Sequence, residues 1–191
     1  MRKTELFVVF YLLQNKEFLD QNIRQIAIEC EISVGSVHHA IRCMQDDGFL
    51  IENNGRRMLR KRKQLIDLWS QAYAHTFKPK NLVARFTFLT PQVRDQWQNI
   101  ILPNTMSWGG EPAAALQHHQ LQPGRWDIYT ADNANALITT GRMIPSPHGE
   151  IYVYQRFWKT EHTPLLVIYA DLLATGDDRC REAAERIQPL I

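Results

Sequence analysis

One amphipathic stretch, Val34 to Asp46, limits what the first third of this chain can fold into. Its apolar residues Val34, Val37, Ile41 and Met44 recur at helical spacing and draw a single stripe. Ser33 stands where an N-cap is needed, and Gly48 is placed to end the helix. The other face is small and polar: Gly35, Ser36, His38, His39, Arg42 and Gln45. A helix of this kind buries one side and shows the other to a partner.

The flanks extend the pattern. An apolar helix is predicted from Thr4 to Gln14. A second helix, capped by Asp20 or Asn22, runs to Glu29 with Ile23, Ile26 and Ala27 on one face. Cys30-Glu31-Ile32 is a short turn into the Val34 helix. After it, Phe49-Leu50-Ile51 reads as a strand and Arg56 to Arg60 as its return. Asn54-Gly55 between them is a two-residue hairpin signal, because a type I′ turn needs positive φ at both positions. From Lys61 the pattern is helical again, with Leu65, Ile66, Leu68, Trp69 and Tyr73 as its apolar face.

Helix, turn, helix and a hairpin with a basic return strand make up a winged helix-turn-helix. The segment Ile32 to Ile41, followed by Asp47-Gly48-Phe49-Leu50-Ile51, resembles the recognition helix and first wing strand of bacterial winged-helix regulators. In that arrangement the second helix of the pair enters the major groove of double-stranded DNA. The expected contacts are Ser33, Gly35, Ser36, His38, His39 and Arg42 on the helix, with Arg56, Arg57, Arg60 and Lys61 on the wing. Gly35 lowers helix propensity but permits close approach to a phosphate backbone. Ser36, His38 and His39 can donate to phosphates or bases, and Arg42 can read guanine.

Charge distribution agrees. The net charge of +2 is small, but residues 1–80 carry thirteen Lys and Arg against nine Asp and Glu, and residues 81–191 carry nine against eleven. Six cations fall within Arg56 to Lys63. Such a block is the footprint of a polyanion or a solvated helix face.

Lys78-Pro79-Lys80 reads as a linker, giving a DNA-binding domain over 1–78 and a second domain over 79–191. The expected class is α+β, a winged helix-turn-helix followed by a mixed α/β domain. In the second half, strands are predicted over Val83 to Leu89, Arg125 to Thr130, Ile151 to Trp158 and Leu165 to Tyr169. Helices are predicted over Pro91 to Ile101, Glu111 or Pro112 to His119, Asn133 to Thr140, and from a cap at Asp177 or Asp178 to Gln188. Trp108-Gly109-Gly110 reads as a tight turn.

Two segments carry a resemblance. Trp108 to Leu116, and Leu165 to Arg179 with Glu182-Ala183-Ala184, look like the C-terminal domain of AbiEi-type antitoxins of type IV toxin–antitoxin systems. The resemblance implies a repressor of its own operon whose second domain opposes a nucleotidyltransferase-type toxin.

No readable catalytic set is present: GxSxG, P-loop and zinc-protease motifs are absent. No cofactor and no metal site are expected. Cys30, Cys43 and Cys180 are odd in number and widely spaced, as free buried thiols would be. His38 and His39 are adjacent, so they do not face each other on a helix, and the same holds for His118 and His119. No leader is expected, because Met1-Arg2-Lys3-Thr4-Glu5 reaches an acid at once, and no apolar run suits a membrane span. A cytoplasmic protein, monomeric or homodimeric, is the expectation.

Two other readings remain open at this level. One is a nucleic-acid-processing enzyme with Asp171, Asp177 and Glu111 as a metal-binding set, Asp171 ending a buried strand. The other is a protein-interaction adaptor, for which Trp97, Trp108, Trp126, Tyr152, Tyr154, Phe157 and Trp158 could supply a surface. Glu111 also suits a helix dipole, and Arg179 with Glu182 an i,i+3 pair.

Overall fold

The computed structural model describes residues 1–117 and 121–191. The pair His118 and His119, and the end of the helix predicted to reach His119, lie outside the described residues. The chain divides into two units, residues 1–73 with Ile191, and residues 74–190. The class is α+β.

In the first unit, α1 spans Lys3–Gln14, α2 Ile23–Cys30 and α3 Val34–Asp46. Each start has a local cause. Asn22 and Gln25 cap α2 reciprocally, each side chain accepting the other's backbone N–H at 3.0 and 3.3 Å. The Ser33 hydroxyl accepts from the Ser36 N–H at 3.1 Å and starts α3. Glu31 ends α2 in the left-handed region, and Gly48, at φ +70°, follows α3. The core joins Leu6, Phe10 and Leu13 of α1 to Ile26 of α2 and Val37, Ala40, Ile41 and Met44 of α3. Val34 is the exception in the predicted stripe. It sits in the first turn of α3 and is 48% exposed, and Ala40 completes the buried face instead.

Strands β1 (Leu50–Asn53) and β2 (Arg56–Leu59) pair antiparallel with Asn53 opposite Arg56. Asn54 and Gly55 both take positive φ, as a type I′ turn requires. Helix α4 (Arg62–Ala72) buries Leu65, Ile66 and Trp69, and Trp69 donates to the Leu6 carbonyl at 2.9 Å. Leu68, predicted on the apolar face, is exposed.

The second unit holds a five-stranded sheet in the order β4-β5-β7-β3-β6. The strands are β3 (Leu82–Phe88), β4 (Met106–Gly109), β5 (Trp126–Thr130), β6 (Met143–Pro145) and β7 (Ile151–Gln155). β5 and β7 run parallel, and the other pairs are antiparallel. Helices α6 (Gly110–Gln117) and α7 (Leu165–Ala174) pack on the β4 and β5 side, and α8 (Asp178–Ile187) lies against α7. A short α5 (Pro91–Asp95) follows β3, and the predicted helix to Ile101 breaks into a 3-10 turn at Trp97–Asn99. The Asn133-capped segment is also 3-10, over Ala134–Thr140.

Two expectations need correction, and one strand was not anticipated. Leu165 to Tyr169 is not a strand but the first half of α7. A short apolar run has no period to distinguish the two, and the run continues through Leu172 to helical length. Trp108 and Gly109, read as part of a tight turn, instead close edge strand β4, which runs from Met106 and pairs with β5. The other edge, β6, was missed because it is three residues ending in Pro145, and proline is tolerated at an edge.

Candidate nucleic-acid interface and a buried ion cluster

The solvent side of α3 carries Val34, Gly35, His38 and Arg42, all exposed, with Ser36 partly so. A Cβ built on Gly35 would meet nothing nearer than the Ser33 hydroxyl at 4.0 Å, so the fold itself does not require glycine there. Ser33 is committed to its cap and also bonds the Ser36 hydroxyl at 2.9 Å.

His39 turns elsewhere. Its Nε2 lies 3.6 Å from the Glu5 carboxylate, 3.4 Å from the Arg2 guanidinium and 3.6 Å from the Cys43 thiol, so it faces the start of α1. On β2 and just beyond it, Arg56 and Arg60 are exposed. Arg57 folds back instead. It donates to the Gln21 carbonyl at 2.7 Å and pairs with Glu52 at 3.6 Å, and its side chain is 13% exposed. Lys61 leans over Phe49, 6.0 Å from the ring centre. The basic block therefore splits into struts, Arg57 and Arg62 (which donates to the Leu13 carbonyl at 2.7 Å), and cations that reach solvent.

The second unit contains an ion cluster that sequence reasoning missed. Lys78, read as part of a linker, is buried. Its ammonium donates to Asp127 at 2.6 Å and to Asp171 at 2.7 Å. Arg125 Nε donates to the other Asp127 oxygen at 2.8 Å. The Tyr129 hydroxyl donates to Asp171 at 2.9 Å, and the Gly110 N–H donates at 3.1 Å. Arg125 also donates to the Tyr154 hydroxyl and lies over the Tyr152 ring. Two cations thus face two carboxylates, and every carboxylate oxygen has a donor. Above them opens a cleft of about 350 Å³ lined in part by His75, Glu111, Arg125, Tyr152 and Tyr154.

Burial works against each charge, and the pairing decides the outcome. Burial would raise the Asp127 carboxyl, but Lys78 and Arg125 hold it below the usual range. Asp171 has only Lys78 as a charged partner, so burial, helped by Asp127, pushes it up. Burial would lower Lys78, yet Asp127 and Asp171 keep it above an ordinary ammonium. Burial and the Asp127 charge push the Tyr154 phenol up to about 12.

The proposed Asp171, Asp177 and Glu111 set does not assemble. Asp171 sits inside α7 and is fully bonded, Asp177 caps α8 and pairs with Arg179 at 3.0 Å, and Glu111 accepts the Gly124 N–H at 2.8 Å. Arg179 is therefore not paired with Glu182, whose partner is Arg186. The aromatic surface also dissolves. Trp97, Trp108, Trp126 and Trp158 are buried in edge-to-face pairs, leaving Tyr152 and Phe157 partly exposed. None of the three cysteines forms a disulfide; Cys30 and Cys180 are buried and Cys43 is half-buried. A charge inside an apolar run was the available signal for the cluster, in Trp126-Asp127-Ile128 and in Ala170-Asp171-Leu172. A buried carboxylate has to be paired.

A family model described as transcriptional regulator, AbiEi antitoxin, type IV toxin–antitoxin system matches residues 57–190. The chain belongs to this family. The AbiEi match starts on β2 and covers α4 and the whole of the second unit, ion cluster included, while α1 to α3 lie before it. It makes the protein a member of a family of transcriptional regulators and antitoxins. No curated protein and no solved structure matches the chain. No helix among the described residues is long and apolar enough to cross a membrane.

Proposed function

We propose that this AbiEi-family protein represses its own operon by binding double-stranded DNA through α3 and the β1–β2 hairpin, while residues 74–190 oppose a nucleotidyltransferase-type toxin. The exposed face of α3 carries the DNA half of the reading. Val34, Gly35, His38 and Arg42 form a solvent-facing strip, with Val34 its one apolar side chain, on a helix whose opposite side is locked into the core. In this reading Val34 and Gly35 lie against the groove, Ser36 and His38 donate to phosphates or bases, and Arg42 reads a base edge. Arg56 and Arg60 contact phosphate across the neighbouring groove. Ser33, Arg57 and Lys61 support the interface rather than touch the duplex.

Gly35→Ala separates fold from binding. The protein gains about 0.5–1 kcal/mol of stability, because alanine favours the helix and its methyl has room. Affinity for operator DNA falls, because the methyl stands where the backbone approaches. Thermal unfolding and a gel shift on the same preparation read both effects. A variant that gains stability and keeps full affinity removes Gly35 from the interface.

Arg56→Ala and Arg57→Ala behave differently from each other. Arg56→Ala lowers affinity across sequences and reduces the slope of log K against log salt by about 0.9 for one lost phosphate contact. Arg57→Ala lowers the unfolding temperature, because the carbonyls of Leu19 and Gln21 lose their donor. Equal salt slopes in Arg56→Ala and wild type contradict the wing assignment.

The antitoxin half is tested by co-expression with a nucleotidyltransferase-like gene adjacent to this one. Growth is rescued by the wild type and by a chain carrying Arg42→Ala and Arg56→Ala, which no longer represses a promoter reporter. Loss of both functions together would contradict the division of labour.

A further inference from the structure

We infer that Glu5, His39 and Cys43 form a binding site for a borderline-soft divalent metal ion of the zinc type, clamping the start of α1 to α3. The three residues were not joined by any sequence signal. His39 and Cys43 are one helical turn apart on α3, an i,i+4 pair whose side chains share a face. Glu5 comes from the first turn of α1, and only the packing of the two helices brings it there. The three ligand atoms lie within 4.8 Å of one another, and no other group of this kind occurs among the described residues.

The spacing suits tetrahedral coordination. Zinc binds imidazole nitrogen at about 2.0–2.1 Å, carboxylate oxygen at about 2.0–2.2 Å and thiolate sulfur at about 2.3 Å. In a tetrahedron these bond lengths put nitrogen about 3.4 Å from oxygen and about 3.5 Å from sulfur. Here His39 Nε2 is 3.6 Å from Glu5 Oε1 and 3.6 Å from Cys43 Sγ.

The carboxylate is also pre-oriented. Glu5 Oε2 accepts the Arg2 backbone N–H at 2.9 Å in the α1 capping box, which leaves Oε1 facing the histidine. Supporting bonds of this kind hold metal ligands in place. The position already attracts a cation, since the Arg2 guanidinium reaches to 3.4 Å from His39 Nε2 and 3.9 Å from Glu5 Oε1. The Arg2 side chain is 77% exposed and is free to swing aside.

The donor set selects the ion. A thiolate and an imidazole favour zinc, cobalt or copper over magnesium or calcium. A thiolate, a carboxylate and a neutral imidazole together neutralise a divalent charge. Binding releases the Cys43 proton, and water completes the fourth position. The site does not depend on the DNA-binding reading, since it stands on α1 and α3 packing alone.

The test uses the full chain, stripped of metal by chelator and titrated with Co²⁺. The expected result is one equivalent bound, with a thiolate-to-cobalt charge-transfer band in the near ultraviolet and visible bands of a four-coordinate ion. Zn²⁺ then bleaches both. Cys43→Ser abolishes the charge-transfer band. His39→Ala and Glu5→Gln each lower affinity at least tenfold. Zn²⁺ raises the unfolding temperature of the wild type and not of Cys43→Ser. No charge-transfer band in the wild type overturns the site, and so does a band that survives Cys43→Ser.

Discussion

Lys78→Met lowers the unfolding free energy of the protein by about 3–5 kcal/mol, because it leaves two buried carboxylates without the ammonium between them. The two carboxylates do not suffer equally. Asp127 keeps Arg125 at 2.8 Å, whereas Asp171 keeps only the neutral donors Tyr129 and Gly110. Most of the loss therefore falls on Asp171. Lys78→Met combined with Asp171→Leu recovers part of it, since an unpaired buried charge is replaced by apolar volume. Urea unfolding of both variants measures the difference.

The pH dependence has a definite sign. In the native state Asp171 binds its proton more tightly than in the unfolded chain. Without Lys78 the stability therefore falls as pH rises, and the deficit is larger at pH 8 than at pH 5. The wild type shows a second trend. Lys78 is held above its ordinary value of 10.5, so its stabilisation is fully present below that pH and is lost as pH rises beyond it. A deficit in Lys78→Met that is the same at both pH values would contradict the assignment of the loss to Asp171.

Gly109→Ala is the second large effect, with a destabilisation of at least about 1–3 kcal/mol. A Cβ on Gly109 would lie 2.3 Å from Tyr129 Cε2 and 2.6 Å from Cδ2. The ring has nowhere to go. It is 1% exposed, packed 4.8 Å from Trp158, and its hydroxyl is bonded to Asp171. Moving it breaks the cluster that Lys78→Met attacks from the other side. The two variants are therefore non-additive, and their combined cost is smaller than the sum. Additive losses would mean that Tyr129 is not a supporting member of the cluster. The adjacent Gly110 has a different cause, a φ of +47° where β4 turns into α6.

The first unit was largely legible because its signals are local. Caps, a one-sided stripe and an Asn-Gly turn each act within a few residues, and Asn22, Ser33, Asn54 and Gly55 do what their chemistry dictates. Which side chains face solvent was less legible. Arg57 and His39 have the composition of DNA contacts, but carbonyls at Leu19 and Gln21 fold Arg57 back, and Glu5 on another helix engages His39, which stays exposed.

The second unit hid more. α7 is buried at every residue from Leu166 to Leu172, so it shows no amphipathic period. Lys78, Asp127 and Asp171 come from distant parts of the chain and have no spacing to reveal them. A proline beside Lys78 suggested a linker, whereas Pro79 only opens a 3-10 turn that carries the lysine into the core.

The most direct test of the account is the binding of the full chain to a labelled duplex from the region upstream of its own gene. Fluorescence anisotropy between about 50 and 200 mM salt measures it. The account predicts binding with Kd of about 10⁻⁸–10⁻¹¹ M near physiological salt, weakening steeply as salt rises, and a loss of about tenfold or more in Arg42→Ala. No binding to that duplex at 50 mM salt, or full affinity in Arg42→Ala, would contradict it.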